Sequence, residues 1–82
     1  MGPRRRRSHD DDAMPDIARI AAVFTDRRIA LRLTQQNLAD LAGVSRSSIQ
    51  TLERGSGSIA FGSVIDIAEV LGLHIDVTTT AR

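Results

Sequence analysis

Residues 34–54 read TQQNLADLAGVSRSSIQTLER, and the spacing of their apolar, small and hydroxyl-bearing residues predicts two short helices joined by a tight turn. Thr34 stands where a helix N-cap belongs, its hydroxyl placed to accept from an early backbone amide, and it opens a helix over residues 35–42. Leu38, Leu41 and Ala42 form the side of that helix expected to be buried. Gly43 follows at the point where a chain leaves a helix through a left-handed residue, a conformation glycine adopts without steric cost. After Val44, Ser45 offers a second N-cap, and the helix it opens over residues 46–54 buries Ile49 and Leu52 before Gly55 ends it.

Upstream, Pro15 and Asp16 make a helix entry, since proline is tolerated in a first turn and an acid there meets the positive end of the helix dipole. Ile17, Ile20, Ala21, Phe24, Arg28 and Leu31 then recur at i, i+3, i+4, i+7 spacing, which predicts one face of a helix ending near Leu33. Downstream, Gly55–Ser58 reads as a flexible connection. A fourth helix from about Gly62 to Leu71 carries Val64, Ile65, Ile67, Ala68 and Leu71 and is closed by Gly72.

Beyond Gly72 the period changes to two. Leu73, Ile75 and Val77 alternate with His74, Asp76 and Thr78, the pattern of a strand with one apolar face. A lone strand leaves its backbone amides and carbonyls without partners, and no other segment reads as a strand. The expected remedy is the same strand from a second copy, paired antiparallel about a two-fold axis, with Leu73, Ile75 and Val77 as the dimer strand. The chain thus divides into a charged, disordered arm over residues 1–13, a helical domain over 14–72, and a dimerisation strand and tail over 73–82.

Composition narrows the function classes. With 82 residues the core is small, and with no cysteine there is no disulfide to constrain the unfolded chain, so dimerisation is the expected supplement. His74 and Asp76 share one side of the strand, but two such ligands make no closed metal site, and no metal is expected. No apolar run approaches the roughly 20 residues of a membrane span. Arg4–Arg7 would suit the start of a secretory signal, yet Ser8, His9 and Asp10–Asp12 follow where its apolar segment should be, and a cytoplasmic location is expected. Nucleophile, base and orienting group are not brought together and there is no glycine-rich phosphate loop, so neither an enzyme nor a cofactor is expected.

The formal net charge is +1, and the surplus sits in the first seven residues. From Pro15 onward seven arginines meet seven acids, so affinity for nucleic acid has to be argued from placement. Placement supplies it: residues 34–54 resemble the Cro-like (XRE) helix-turn-helix family of phage and bacterial repressors. The resemblance spans residues 17–72. It is carried by Ala39 where two helices cross closely, Gly43 in the turn, Ile49 in the core, and Leu52-Glu53-Arg54-Gly55 after the second motif helix. It implies a mainly α, four-to-five-helix, lambda-repressor-like domain whose second motif helix enters a DNA major groove about 12 Å wide.

The resemblance also assigns roles. Ser45, Arg46, Ser47 and Thr51 would touch base edges, and Gln50 lies one turn beyond Arg46 on the same exposed side. Arg46 is the strongest candidate, because a guanidinium can bond both major-groove acceptors of guanine. Gln35, Arg54 and Arg32 would hold phosphates, which fixes register without reading sequence. Arg28 and Glu53 would form a partly buried ion pair instead of facing DNA. Arg4–Arg7 could reach the duplex as a basic arm or serve only as a spacer beside Asp10–Asp12.

The small size and terminal strand are most similar to HipB-type antitoxins, which implies a homodimer repressing its own operon on a palindromic operator, with a HipA-like kinase toxin as a further partner. A stand-alone phage or plasmid regulator and a protein-interaction module without DNA binding remain as alternatives. The second is suggested by the neutral charge balance and by residues 56–60, which carry no lysine or arginine.

Overall fold

The computed structural model describes residues 15–80. Four α-helices follow one another: α1 (Pro15–Ala30), α2 (Gln35–Ala42), α3 (Arg46–Glu53) and α4 (Phe61–Leu71). The two motif helices start where their hydroxyl residues cap them. Thr34 accepts from the Asn37 N–H while the Asn37 side chain accepts from the Thr34 N–H, a reciprocal capping box, and Ser45 accepts from the Ser48 N–H. α4 begins differently, at Ala60, with no side-chain cap.

α2 packs against α3 and α4, and α1 closes over α3 and α4. The core between them is Phe24 from α1, Leu38 and Ala39 from α2, Ile49 and Leu52 from α3, and Ile67, Ala68 and Leu71 from α4. Each large aliphatic side chain among these stabilises the fold by about 1.5–3 kcal/mol relative to the same group in water. Ala39 is fully buried. A larger side chain there would push α2 away from its neighbours and change the angle at which α3 is presented.

Every helix is followed by a residue in the left-handed region: Arg32 (φ 60°), Gly43 (72°), Gly55 (81°) and Gly72 (71°). Glycine suits three of these positions, and the arginine explains why α1 stops at Ala30 and not near Leu33. The Arg32 N–H bonds the Ile29 carbonyl at 2.9 Å and the Leu33 N–H bonds the Arg28 carbonyl at 3.1 Å, a turn that swings Leu33 back onto the core. Holding a residue with a Cβ in this conformation costs about 1 kcal/mol relative to glycine.

Two expectations are corrected. Leu41, assigned to the buried side of α2, is 62% exposed, and Ala39 takes the inner position in its place. The strand expected from Leu73 to Val77 does not form: among the described residues there is no strand, and the fold is all-helical. A ladder needs a second extended segment alongside, and none lies there among the described residues of the single chain. The Leu73 N–H instead bonds the Ala68 carbonyl at 2.9 Å, completing the end of α4. Leu73 and Ile75 lie half-buried against the core while His74 and Asp76 are exposed, so the alternation in sequence records a segment with one side packed on helices. Val77 is 87% exposed. The arm expected over residues 1–13, with its Arg4–Arg7 block, lies outside the described residues.

Candidate nucleic-acid interface

α3 is rotated about its own axis by what it buries. Ile49 and Leu52 are locked in the core, so the opposite side must face outward. That side carries Arg46 and Ser47 in the first turn, both exposed, and Gln50 and Thr51 one turn later, both half-buried. Residues four apart stand above one another on a helix, so Arg46 with Gln50 and Ser47 with Thr51 make two parallel rows. A helix about 10–12 Å across with its side chains matches a major groove about 12 Å wide. Ser45 has its hydroxyl engaged: the oxygen accepts the Ser48 N–H at 3.1 Å and lies 3.1 Å from Ser47 Oγ and 3.0 Å from Ser48 Oγ.

The far end of α3 is held by one carboxylate. Arg28 donates from Nε to Glu53 Oε2 at 2.6 Å and from Nη2 to Oε1 at 3.2 Å, while its Nη1 bonds the Leu33 carbonyl at 2.8 Å. The two side chains are 15% and 10% exposed. Gln35 also belongs to this cluster, its amide donating to Glu53 Oε1 at 3.0 Å. α1, the turn before α2, the start of α2 and the end of α3 therefore meet at Glu53. Gln35, expected to hold a phosphate, has its amide N–H turned toward this carboxylate. Arg54 and Arg32 are exposed at helix ends, the first capping α3 with its N–H on the Gln50 carbonyl.

The sequence reading missed two features. Beside the outer face of α3 lies a hydroxyl-rich cleft of about 190 Å³, bordered by Ser47, Ser48 and Thr51 on one side and Ser58, Ile59, Ala60 and Ser63 on the other. Its only signal was the pair of serines flanking the start of α4, Ser58 at the end of the expected flexible connection and Ser63 at the start of the expected fourth helix. The other is Arg27, whose Nε donates to the Leu71 carbonyl at 2.8 Å and ties α1 to the end of α4. No residue pattern could announce a contact spanning 44 positions. Among the described residues there is no cluster of three or more potential metal ligands, and no helix is long and apolar enough to cross a membrane.

The sequence model of the helix-turn-helix family matches residues 26–77, which take in α2, the turn and α3. The chain belongs to the helix-turn-helix family. Within and around that family it is 41% identical, over 59 residues, to an uncharacterized transcriptional regulator in the ATPase CF(0) region of Rhodospirillum rubrum, covering 72% of this chain. The chain spans about half of that relative's length, 55%. Among solved structures it is similar to the restriction-modification controller protein C.AhdI of Aeromonas hydrophila, at 26% identity and a TM-score of 0.67, over 74% of this chain and 92% of that one. A chain of a HipA-HipB-O2-O3 complex shares the fold, with a TM-score of 0.72 at 19% identity over 83% and 96% of the two chains.

Proposed function

We propose that this helix-turn-helix chain is a sequence-specific DNA-binding transcriptional repressor that acts as a homodimer on a palindromic operator. The observation that carries the reading is the outer face of α3: Arg46, Ser47, Gln50 and Thr51 project from a helix whose rotation is fixed by Ile49 and Leu52. Arg46 reads a guanine through its two parallel donors, and Ser47, Gln50 and Thr51 contact neighbouring base edges. Ser45 contributes through its position at the tip of the helix while its hydroxyl serves the cap. Arg54 and Arg32 hold phosphates, joined at Gln35 by backbone N–H groups of the first turn of α2, since its side-chain amide is turned to Glu53. Two copies with α3 helices about 34 Å apart would engage successive turns of one DNA face. Such a dimer on its own promoter blocks transcription.

The relatives support regulation and not catalysis, since one is named a transcriptional regulator and another a restriction-modification controller. The antitoxin form of the proposal adds a HipA-like kinase as second partner; co-expression with such a kinase should then yield a stable complex. The test of the core reading is a salt-titrated shift assay against the protein's own promoter. Specific binding should weaken by about 0.9 log unit per neutralised phosphate for each decade of salt. Arg46→Ala should lose about 1–3 kcal/mol per half-site with an unchanged melting temperature. Weak binding that ignores salt would instead favour a protein-interaction module, the reading that the balanced charge of residues 15–82 suggests.

A further inference from the structure

α1, the start of α4 and the segment after Gly72 enclose an open groove of about 310 Å³. Its walls include Ile20 and Val23 from α1, Phe61 and Val64 from α4, and Leu73 and Ile75 from the terminal segment. Arg19, His74 and Asp76 line it as well, one guanidinium, one imidazole and one carboxylate on a surface that is otherwise largely apolar. Several of these apolar groups meet water: Ile20 is 44% exposed, Val23 49% and Phe61 69%. α3 contributes nothing to the groove.

We infer that a second copy of this chain occupies the groove, in a two-fold contact that places Phe61 of each copy in the groove of the other and sets Arg19 opposite Asp76. This rests on the homodimer proposed above and names the surface that makes it. Three observations select a second copy as the occupant. The aromatic anchor and the recess that would receive it belong to the same chain, which is what an isologous, closed contact requires. The charges are complementary under the same operation, since a two-fold contact that sets Arg19 of one groove against Asp76 of the other makes that pair twice, with His74 also in each wall. Arg19 is free to exchange partners, because its pair with Asp16 at 3.2 Å is exposed on both sides, 71% and 87%, and contributes little. Finally, docking at this face leaves the outer rows of both α3 helices uncovered, as a DNA-reading pair demands.

Sedimentation equilibrium on the full chain tests the assignment. The wild type should dimerise, and Phe61→Glu should weaken the dimer by about 100-fold, since each dimer carries the change twice at a central aromatic anchor. The variant should still fold, because Phe61 is exposed and an acid suits the first turn of α4. Arg19→Asp alone should weaken the dimer about tenfold, and Arg19→Asp with Asp76→Arg should restore it to within about threefold of wild type. A wild type that stays monomeric, a Phe61→Glu dimer as tight as wild type, or a double exchange that fails to restore association would each overturn the groove as the contact surface. Failure of the DNA reading would look different: a wild-type dimer indifferent to its promoter defeats the operator and leaves the groove standing, whereas a monomer that binds the promoter does the reverse.

Discussion

Thr34 closes the start of α2 with a reciprocal pair of hydrogen bonds and Ser45 closes α3, whereas α4 starts at Ala60 with no side chain to receive its first amides. The same division runs through the packing. At the α3 end, Arg28, Gln35 and Glu53 saturate one another in a half-buried cluster. At the other end, Phe61 is exposed on the first turn of α4 and residues 73–80 belong to no helix or strand. The half that carries the reading face has its internal bonds made before any partner arrives. The other half has apolar area still uncovered, and that is the property of a surface awaiting a neighbour.

The sharpest way to break this contrast is to remove the cluster that closes the α3 end. Arg28→Ala leaves Glu53 poorly solvated beside Gln35 and should cost about 3 kcal/mol, a fall of roughly 15 °C in melting temperature for a domain of this size. Calorimetry showing an unchanged transition would mean that the ion pair holds nothing together. A smaller effect compares the two kinds of helix start directly. Thr34→Ala should destabilise by about 1 kcal/mol, and Ala60→Ser, which gives α4 the cap it lacks, should stabilise by about 0.5–1 kcal/mol in urea unfolding. Opposite signs sharpen the comparison; two losses would show that α4 is already satisfied at its start. Smallest is Arg32→Gly, expected to gain a few tenths of a kcal/mol up to about 1 from relief of the left-handed backbone. The same variant should lose promoter affinity if the guanidinium holds a phosphate, so stability and binding would move in opposite directions.

What could be read from the sequence follows the same division. Thr34, Gly43 and Ser45 announce their positions by chemistry, and the helices they bound match the expected ranges to within a residue. α4 was equally clear because Gly72 ends a run of apolar residues at helical spacing. The end of α1 was hidden, since Arg32 adopts a conformation that a sequence signals only through glycine or asparagine. Leu41 was misplaced because apolarity at i and i+3 does not fix which flank of the helix its neighbours cover. The alternation from Leu73 to Val77 was read as a ladder when it describes a segment lying across helices. At the site, the outward row of α3 was legible from Ile49 and Leu52 alone. The engagement of Gln35 by Glu53 was not, because it depends on three elements meeting at one carboxylate.

Gly55 shows what the closed end implies mechanically. A Cβ built there would sit 3.3 Å from the Ala18 Cα, so the exit of α3 is seated directly on the backbone of α1, one residue from the Arg54 cap and two from Glu53. α3 therefore resembles a short beam clamped at its C-terminal root, with Arg46 at the free tip. A slight tilt at the root is magnified at the tip, so the aim of the guanidinium depends on how α1 is seated as well as on the burial of Ala39, Ile49 and Leu52.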